Sequence, residues 1–190
     1  MGEKLFYRYA AIRLDGAPEK DSNIVRVIAS TNTPVNWGRW SESLAHEDSA
    51  IDRTAAQSVL FNHDRNQPIG GILSTSCDGK QMIAELEIDP AARASTGLPL
   101  LDAIRKKYVR GVSIGYAYRD EDCQVEKRVE HDDQGEPVLC YDVTVTRWQL
   151  REISITPTPA DTNAQVVRSL PDGLVRATAA QEDARMSDTK

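Results

Sequence analysis

Long apolar runs are missing from this 190-residue chain: its hydrophobic residues, 40% of the total, come in short patches, none near the roughly 20 residues a membrane-spanning helix needs. No membrane partner is therefore expected. The opening Met1-Gly2-Glu3-Lys4-Leu5-Phe6-Tyr7-Arg8-Tyr9 lacks the basic-then-apolar pattern of a secretory signal, so the expected compartment is the cytoplasm. Cysteine is scarce. Cys77, Cys123 and Cys140 are odd in number and contain no close pair, which indicates neither a disulfide framework nor a zinc site. Cys123 and Cys140 could face each other across a hairpin turning at Asp132–Gly135, yet in a reducing compartment they read as free thiols. Clustered basic residues are also lacking: 23 Lys and Arg stand against 29 Asp and Glu, a net charge of −6. That balance argues against nucleic acid as a main partner, because phosphate neutralisation needs grouped Lys and Arg. The three scattered histidines give no metal-ligand pattern, so no metal and no cofactor are expected.

What is present is one ordinary domain's length of chain, enough to bury a core, written mainly in short strands. Tyr7–Leu14 and Ile24–Ser30 are β-branched runs on either side of Asp15-Gly16-Ala17-Pro18 and read as a starting pair of strands. Trp37–Ser43 reads as a turn, Glu47–Gln57 as a short helix, and Ser58–Asn62 as a strand ending at His63 ahead of a polar turn over Asp64–Pro68. Two further strands, Ile69–Ser74 and Gln81–Ile88, flank a turn at Cys77–Lys80. Thr96 can cap a helix over about Leu98–Lys107, whose Leu98, Leu101, Ile104 and Tyr108 recur at helical spacing and whose basic end suits the dipole. Residues 119–136 hold eight acids against Arg119, Lys127 and Arg128 and read as a solvated hairpin. Its arms are Gln124–Val129 and Val138–Trp148, the second running on into Gln149–Thr156. Past Ser169 large apolar residues are too few to pack, so a domain over 1–169 and a flexible tail over 170–190 are expected. The expected fold is mostly β with a few helices (α+β), an antiparallel β-barrel or a sandwich.

One strand carries chemistry in its pattern. In Val109-Arg110-Gly111-Val112-Ser113-Ile114-Gly115-Tyr116-Ala117-Tyr118, alternation sets Val109, Gly111, Ser113, Gly115 and Ala117 on one side, against Val112, Ile114, Tyr116 and Tyr118 on the other. A hydroxyl bracketed by glycines suits a site that another backbone approaches, such as a peptide substrate, although the stretch alone favours a bulge with a filler serine. A serine nucleophile of ordinary triad chemistry needs a histidine base. His46, between Ala45 and Glu47-Asp48, reads as an exposed surface residue, and His131 sits in the acidic hairpin tip. His63, closing the apolar run Val59-Leu60-Phe61, is where a rigid strand could hold an imidazole at a cleft edge, though such a histidine is more often structural. A third group should orient the imidazole. In Trp148-Gln149-Leu150-Arg151-Glu152-Ile153-Ser154, alternation puts Glu152 beside Trp148, Leu150 and Ser154, with Arg151 facing away. There it could orient a histidine or form a structural ion pair.

Three segments carry a resemblance. Leu60-Phe61-Asn62-His63-Asp64 with Pro68-Ile69-Gly70, then Gly111-Val112-Ser113-Ile114-Gly115-Tyr116, then Glu152-Ile153-Ser154-Ile155 with Pro157, Pro159-Ala160 and Asn163-Ala164 resemble the prohead (capsid maturation) serine proteases of tailed bacteriophages. They come in that family's order and at similar spacing, Trp40-Ser41-Glu42 also fits, and the resemblance covers about residues 8–168. It implies a barrel of the herpesvirus-protease-like type, as in the assemblins. It also implies a serine endopeptidase with Ser113 as nucleophile, His63 as general base and Glu152 as orienting acid, His131 being the alternative for the third role. Backbone amides or an arginine would supply the oxyanion donors, with Arg110, Arg147 and Arg151 nearest. The substrates it implies are the major capsid protein, scaffold segments and the chain itself, inside the assembling procapsid in the host cytoplasm, and self-association stays open. The rival readings are a catalytically inactive protease-like scaffold or assembly component, and an unrelated ligand-binding barrel in which Ser113 and His63 merely line a pocket.

Overall fold

Alternating β-branched and aromatic residues become strand along most of the chain. The structure, a computed structural model, describes residues 22–94, 97–109 and 111–157, together with the backbone of 4–10. Its elements in order are β1 (Lys4–Ala10), β2 (Ile24–Thr31), β3 (Val35–Asn36), β4 (Trp40–Leu44), β5 (Ile51–Asp52), β6 (Ser58–Phe61), β7 (Asp64–Cys77) and β8 (Gln81–Ile88). There follow α1 (Leu100–Arg105), β9 (Gly111–Tyr118), β10 (Cys123–His131), β11 (Pro137–Val145) and β12 (Trp148–Thr156). The chain is mostly β with few helices, as expected. No helix among the described residues is long and apolar enough to cross a membrane.

An eight-stranded sheet follows the order β1-β9-β12-β6-β7-β8-β2, with β5 also on β12, and a four-stranded sheet follows β10-β11-β4-β3. The larger sheet curls until β2, at one end of the path, comes close to β9 near the other, without pairing to it. The expected starting pair is not a pair: β1 and β2 stand at opposite ends of the path, because each finds a full-length antiparallel partner elsewhere, β1 on β9 and β2 on β8. Nor is the sheet purely antiparallel. β12 runs parallel to β5 and β6, and β11 parallel to β4, as long crossovers between these partners permit.

The core fills the concave side. Val25, Val27 and Ala29 of β2, Met82, Ala84, Leu86 and Ile88 of β8, and Ile153 and Ile155 of β12 each keep at most 1% of their surface in water, the period of 2 that a half-buried strand writes. Gly70 has the least room among the described glycines, since a Cβ there would stand 1.8 Å from the backbone oxygen of Glu87. Gly70→Ala should therefore lower stability by about 3 kcal/mol, read as a drop in the urea midpoint; an unchanged midpoint would mean that β7 and β8 separate freely there.

Several local expectations give way to side-chain competition. Glu47–Gln57 is no helix: a 3₁₀ turn at Asp48–Ala50 runs straight into β5. There Asp52 Oδ1 takes the Thr54 backbone N–H at 2.9 Å, and buried Ile51 pairs with Trp148, both drawing the chain out of helical geometry. Trp37–Ser43 is a hairpin of β3 and β4 rather than a free turn, with Gly38 at φ 86°. The helix is shorter than expected, with Leu101 and Ile104 buried but Leu98 and Tyr108 exposed beyond its ends. Thr96 and the 170–190 tail lie outside the described residues. The acidic hairpin is solvated as expected and turns at Asp132–Gly135. Its register sets Cys123 opposite Val145 and Cys140 opposite Arg128, so the two thiols do not face each other. Its second arm also does not continue into β12: β11 ends at Val145 in the smaller sheet, and β12 starts the return in the larger.

Candidate functional site

β9 and β12 pair antiparallel with Ser113 opposite Ser154 and Gly115 opposite Glu152, while Ile114 faces Ile153 and Val112 faces Ile155. Residues directly opposite share a face, so the isoleucines and Val112 belong to the core side and Ser113, Gly115, Glu152 and Ser154 to the other. The parity is set by a bulge. Leu150 pairs with Tyr116 on the core side, and the register then skips to Glu152 against Gly115, leaving Arg151 as the extra residue. Strict alternation would have kept Glu152 beside Trp148 and Leu150, as the sequence suggested. The inserted residue moves it to the opposite face, where it shares a surface with Ser154 but not with the tryptophan. Trp148 instead packs edge-on to Tyr116 at 6.0 Å.

His63 reaches the same face from β6. The chain reverses at Asn62-His63, a two-residue loop between the paired Phe61 and Asp64. Both loop residues lie at positive φ, 54° and 60°, as a type I′ hairpin requires. The polar turn expected at Asp64–Pro68 thus comes two residues earlier, at Asn62-His63, and Arg65–Gln67 form an exposed excursion in β7. Asn suits the left-handed region; histidine in the second position, where glycine is usual, is tolerated there better than most residues but still at a cost that its surroundings must offset. What holds it is β12: Asn62 N–H donates to Ile155 O at 3.0 Å and His63 N–H to Ser154 Oγ at 3.1 Å.

The imidazole then lies between a hydroxyl and a carboxylate. His63 Nε2 is 2.8 Å from Ser113 Oγ and Nδ1 is 2.6 Å from Glu152 Oε1. With a carboxylate on Nδ1, that nitrogen carries the proton and donates it, so Nε2 is left to accept from the serine hydroxyl. Glu152 Oε2 accepts from Ser154 Oγ at 2.6 Å, so both oxygens of a side chain only 10% exposed are bonded, as burial of a carboxylate demands. All three residues singled out in the sequence meet. A hydroxyl, a base and an orienting acid within hydrogen-bond reach make an arrangement able to deprotonate the serine as it attacks.

Gly115 is needed for this, though not for the reason its pattern suggested. A Cβ there would stand 2.7 Å from Glu152 Oε1 and 3.0 Å from its Cγ, so the space over the glycine holds the carboxylate rather than an incoming backbone. Gly115→Ala should displace Glu152 by a fraction of an ångström and slow reaction of Ser113 with a fluorophosphonate roughly 10²-fold; an unchanged rate would show that the carboxylate has room to move.

The remaining candidates are elsewhere. His46 is not exposed but fully buried, with Nδ1 donating to Leu44 O at 2.7 Å and its ring against Trp148. His131 closes β10 on the solvated hairpin, away from His63. Arg147 lines a cleft of about 370 Å³ with Asp52, Arg119 and Asp122, some 20 Å along β12 from Ser154, so it is no partner of Ser113. Arg151 is the bulge residue and its charge helps hold Asp52 below the usual carboxylate range, behind the hydrogen bonds from Thr54 and Gln149. Arg110 lies outside the described residues. Burial pushes the Cys123 thiol up to about 12 and the Cys77 thiol upward, the reverse of an activated nucleophile. Two residues that the sequence reading named without giving them a role also have parts here. Ser154 is one; the other is Glu42, fully buried behind β9, where it accepts from Tyr116 Oη and, at 2.9 Å, from Tyr118 Oη and so ties the smaller sheet to the back of the Ser113 strand.

A family model described as caudovirus prohead serine protease matches residues 28–173. Among solved structures, the chain is similar to the bacteriophage T4 capsid assembly protease, gp21, at 14% identity and a TM-score of 0.43, over 83% of this chain and 99% of that one. No curated protein matches it in sequence.

Proposed function

The chain belongs to the caudovirus prohead serine protease family and is a serine protease, and from that premise we propose that Ser113 is its nucleophile, His63 its general base and Glu152 the acid that orients the base. The observation that supports these roles is the unbroken hydrogen-bonded chain from Ser113 Oγ through the imidazole to Glu152 Oε1, at 2.8 and 2.6 Å. Ser113 Oγ attacks the scissile carbonyl as its proton passes to His63 Nε2. The imidazolium that forms is stabilised by Glu152 on Nδ1, and it gives the proton to the leaving amine. Water, activated by the same imidazole, then releases the acyl group from Ser113.

The substrates in this reading are phage capsid and scaffold proteins and the enzyme's own chain, cut within the assembling procapsid in the host cytoplasm. The curled sheet is read as a barrel of the herpesvirus-protease-like type, which the approach of β2 to β9 supports. Residues 1–169 form the catalytic unit, with 170–190 as a dispensable tether. The test is to incubate the full chain with the precursor capsid protein and scaffold and to follow new termini by mass spectrometry. Discrete internal cleavages are expected from the unaltered protein and none from Ser113→Ala. Equal cleavage by both would overturn the assignment, and cleavage by neither would leave an inactive assembly component.

A further inference from the structure

We propose that Ser154 is a positioning residue for this reaction, a hydroxyl that locks the acid and the base in one geometry; the proposal rests on the roles given to Ser113, His63 and Glu152. Ser154 is fully buried and stands directly opposite Ser113 in the β9–β12 ladder, so its place is fixed by backbone pairing rather than by loops. Its oxygen makes two contacts that serve different partners. The O–H donates to Glu152 Oε2 at 2.6 Å, and the same oxygen accepts the His63 backbone N–H at 3.1 Å. A hydroxyl has one hydrogen to give and lone pairs to receive, and both capacities are spent inside the site.

Each contact constrains a separate degree of freedom. Holding Oε2 fixes the plane of the carboxylate, so Oε1 points at His63 Nδ1. Holding the His63 N–H pins a histidine at φ 60°, a conformation that persists only where the surroundings enforce it. With Ser154 removed, a buried carboxylate oxygen loses its donor and a strained turn loses an anchor, so the imidazole and its acid can drift apart although neither has changed. Ser154 itself keeps none of its surface in water, so its loss should appear in the rate of the chemical step and not in the affinity for the reagent.

The probe is a fluorophosphonate, with which the serine oxygen forms a bond to phosphorus, fluoride leaves, and His63 takes the serine proton. Ser154→Ala should lower the maximal inactivation rate roughly 10- to 100-fold while half-saturation stays nearly unchanged and the protein still unfolds cooperatively, at a reduced melting temperature because a buried carboxylate oxygen has lost its donor. In a Glu152→Gln background the same change should slow the reaction severalfold less than in the unaltered protein, because the contact to the carboxylate is already altered and only the hold on the His63 N–H remains to be lost. A Ser154→Ala protein that reacts at the unaltered rate, or one whose loss repeats in full in the Glu152→Gln background, overturns the proposal and leaves the three roles standing. A protein that does not label, or labels equally well as Ser113→Ala, overturns the roles and this inference with them.

Discussion

Ser113→Ala, His63→Ala and the double substitution should each lose the same activity, roughly 10⁴- to 10⁶-fold in turnover, because a nucleophile and the base that activates it act as one device. Once Ser113 Oγ is gone the imidazole has no proton to take; without the imidazole, Oγ holds its proton and remains a weak nucleophile. The two groups are 2.8 Å apart, so the coupling is direct. Peptide hydrolysis by the three variants, measured side by side, checks this, and losses that multiply in the double variant would separate the roles. The fold should survive the serine change, since Ser113 is a small side chain on a strand whose opposite face carries the core residues Val112, Ile114 and Tyr116.

Glu152→Gln should lower turnover roughly 10²- to 10⁴-fold. An amide can turn its NH₂ toward His63 Nδ1, which then becomes the acceptor and leaves the proton on Nε2, the wrong nitrogen to receive one from Ser113. If the amide instead turns its oxygen inward, the tautomer is kept, but the full negative charge that stabilises the imidazolium is lost. Circular dichroism melting must accompany the assay, because breaking a buried charged contact can itself cost about 3 to 5 kcal/mol. Full turnover in a folded Glu152→Gln protein would take the orienting role away from this residue.

The residues of the proposed site were more legible in the sequence than the scaffold that brings them together. Ser113 stood out because small residues alternate around it, and His63 because two of the three histidines sat among acids. Glu152 was found by a rule that fails locally: alternation rightly paired it with Ser154 but wrongly with Trp148 and Leu150, because the extra residue at Arg151 is a property of strand pairing, which no single strand encodes. The turn at Asn62-His63 was missed for the opposite reason. Turn chemistry favours glycine or a short polar side chain, and here long-range bonds from β12 hold a histidine where local preference would not. His46 was misread because its sequence neighbours Glu47 and Asp48 are polar, whereas its spatial neighbour is Trp148. Ser154 carried no signal of its own, since its role depends on two groups, 63 and 152, that only folding brings to it.

The bulge at Arg151 makes β12 a strand with a reading frame. Upstream of it the odd-even count assigns side chains to faces one way, downstream the other way, and the core residues Leu150 and Ile153 lie on either side of the junction. Exchanging residues within the strand changes one side chain at a time and leaves the rest in place. Losing or gaining a single residue between Leu150 and Glu152 would do something different in kind: it would either turn the acid into the core and an isoleucine into the site, or force the whole ladder with β9 to slip. For this strand a change in the number of residues costs more than a change in their identity, and the acid proposed to orient His63 takes its place by its count from the bulge.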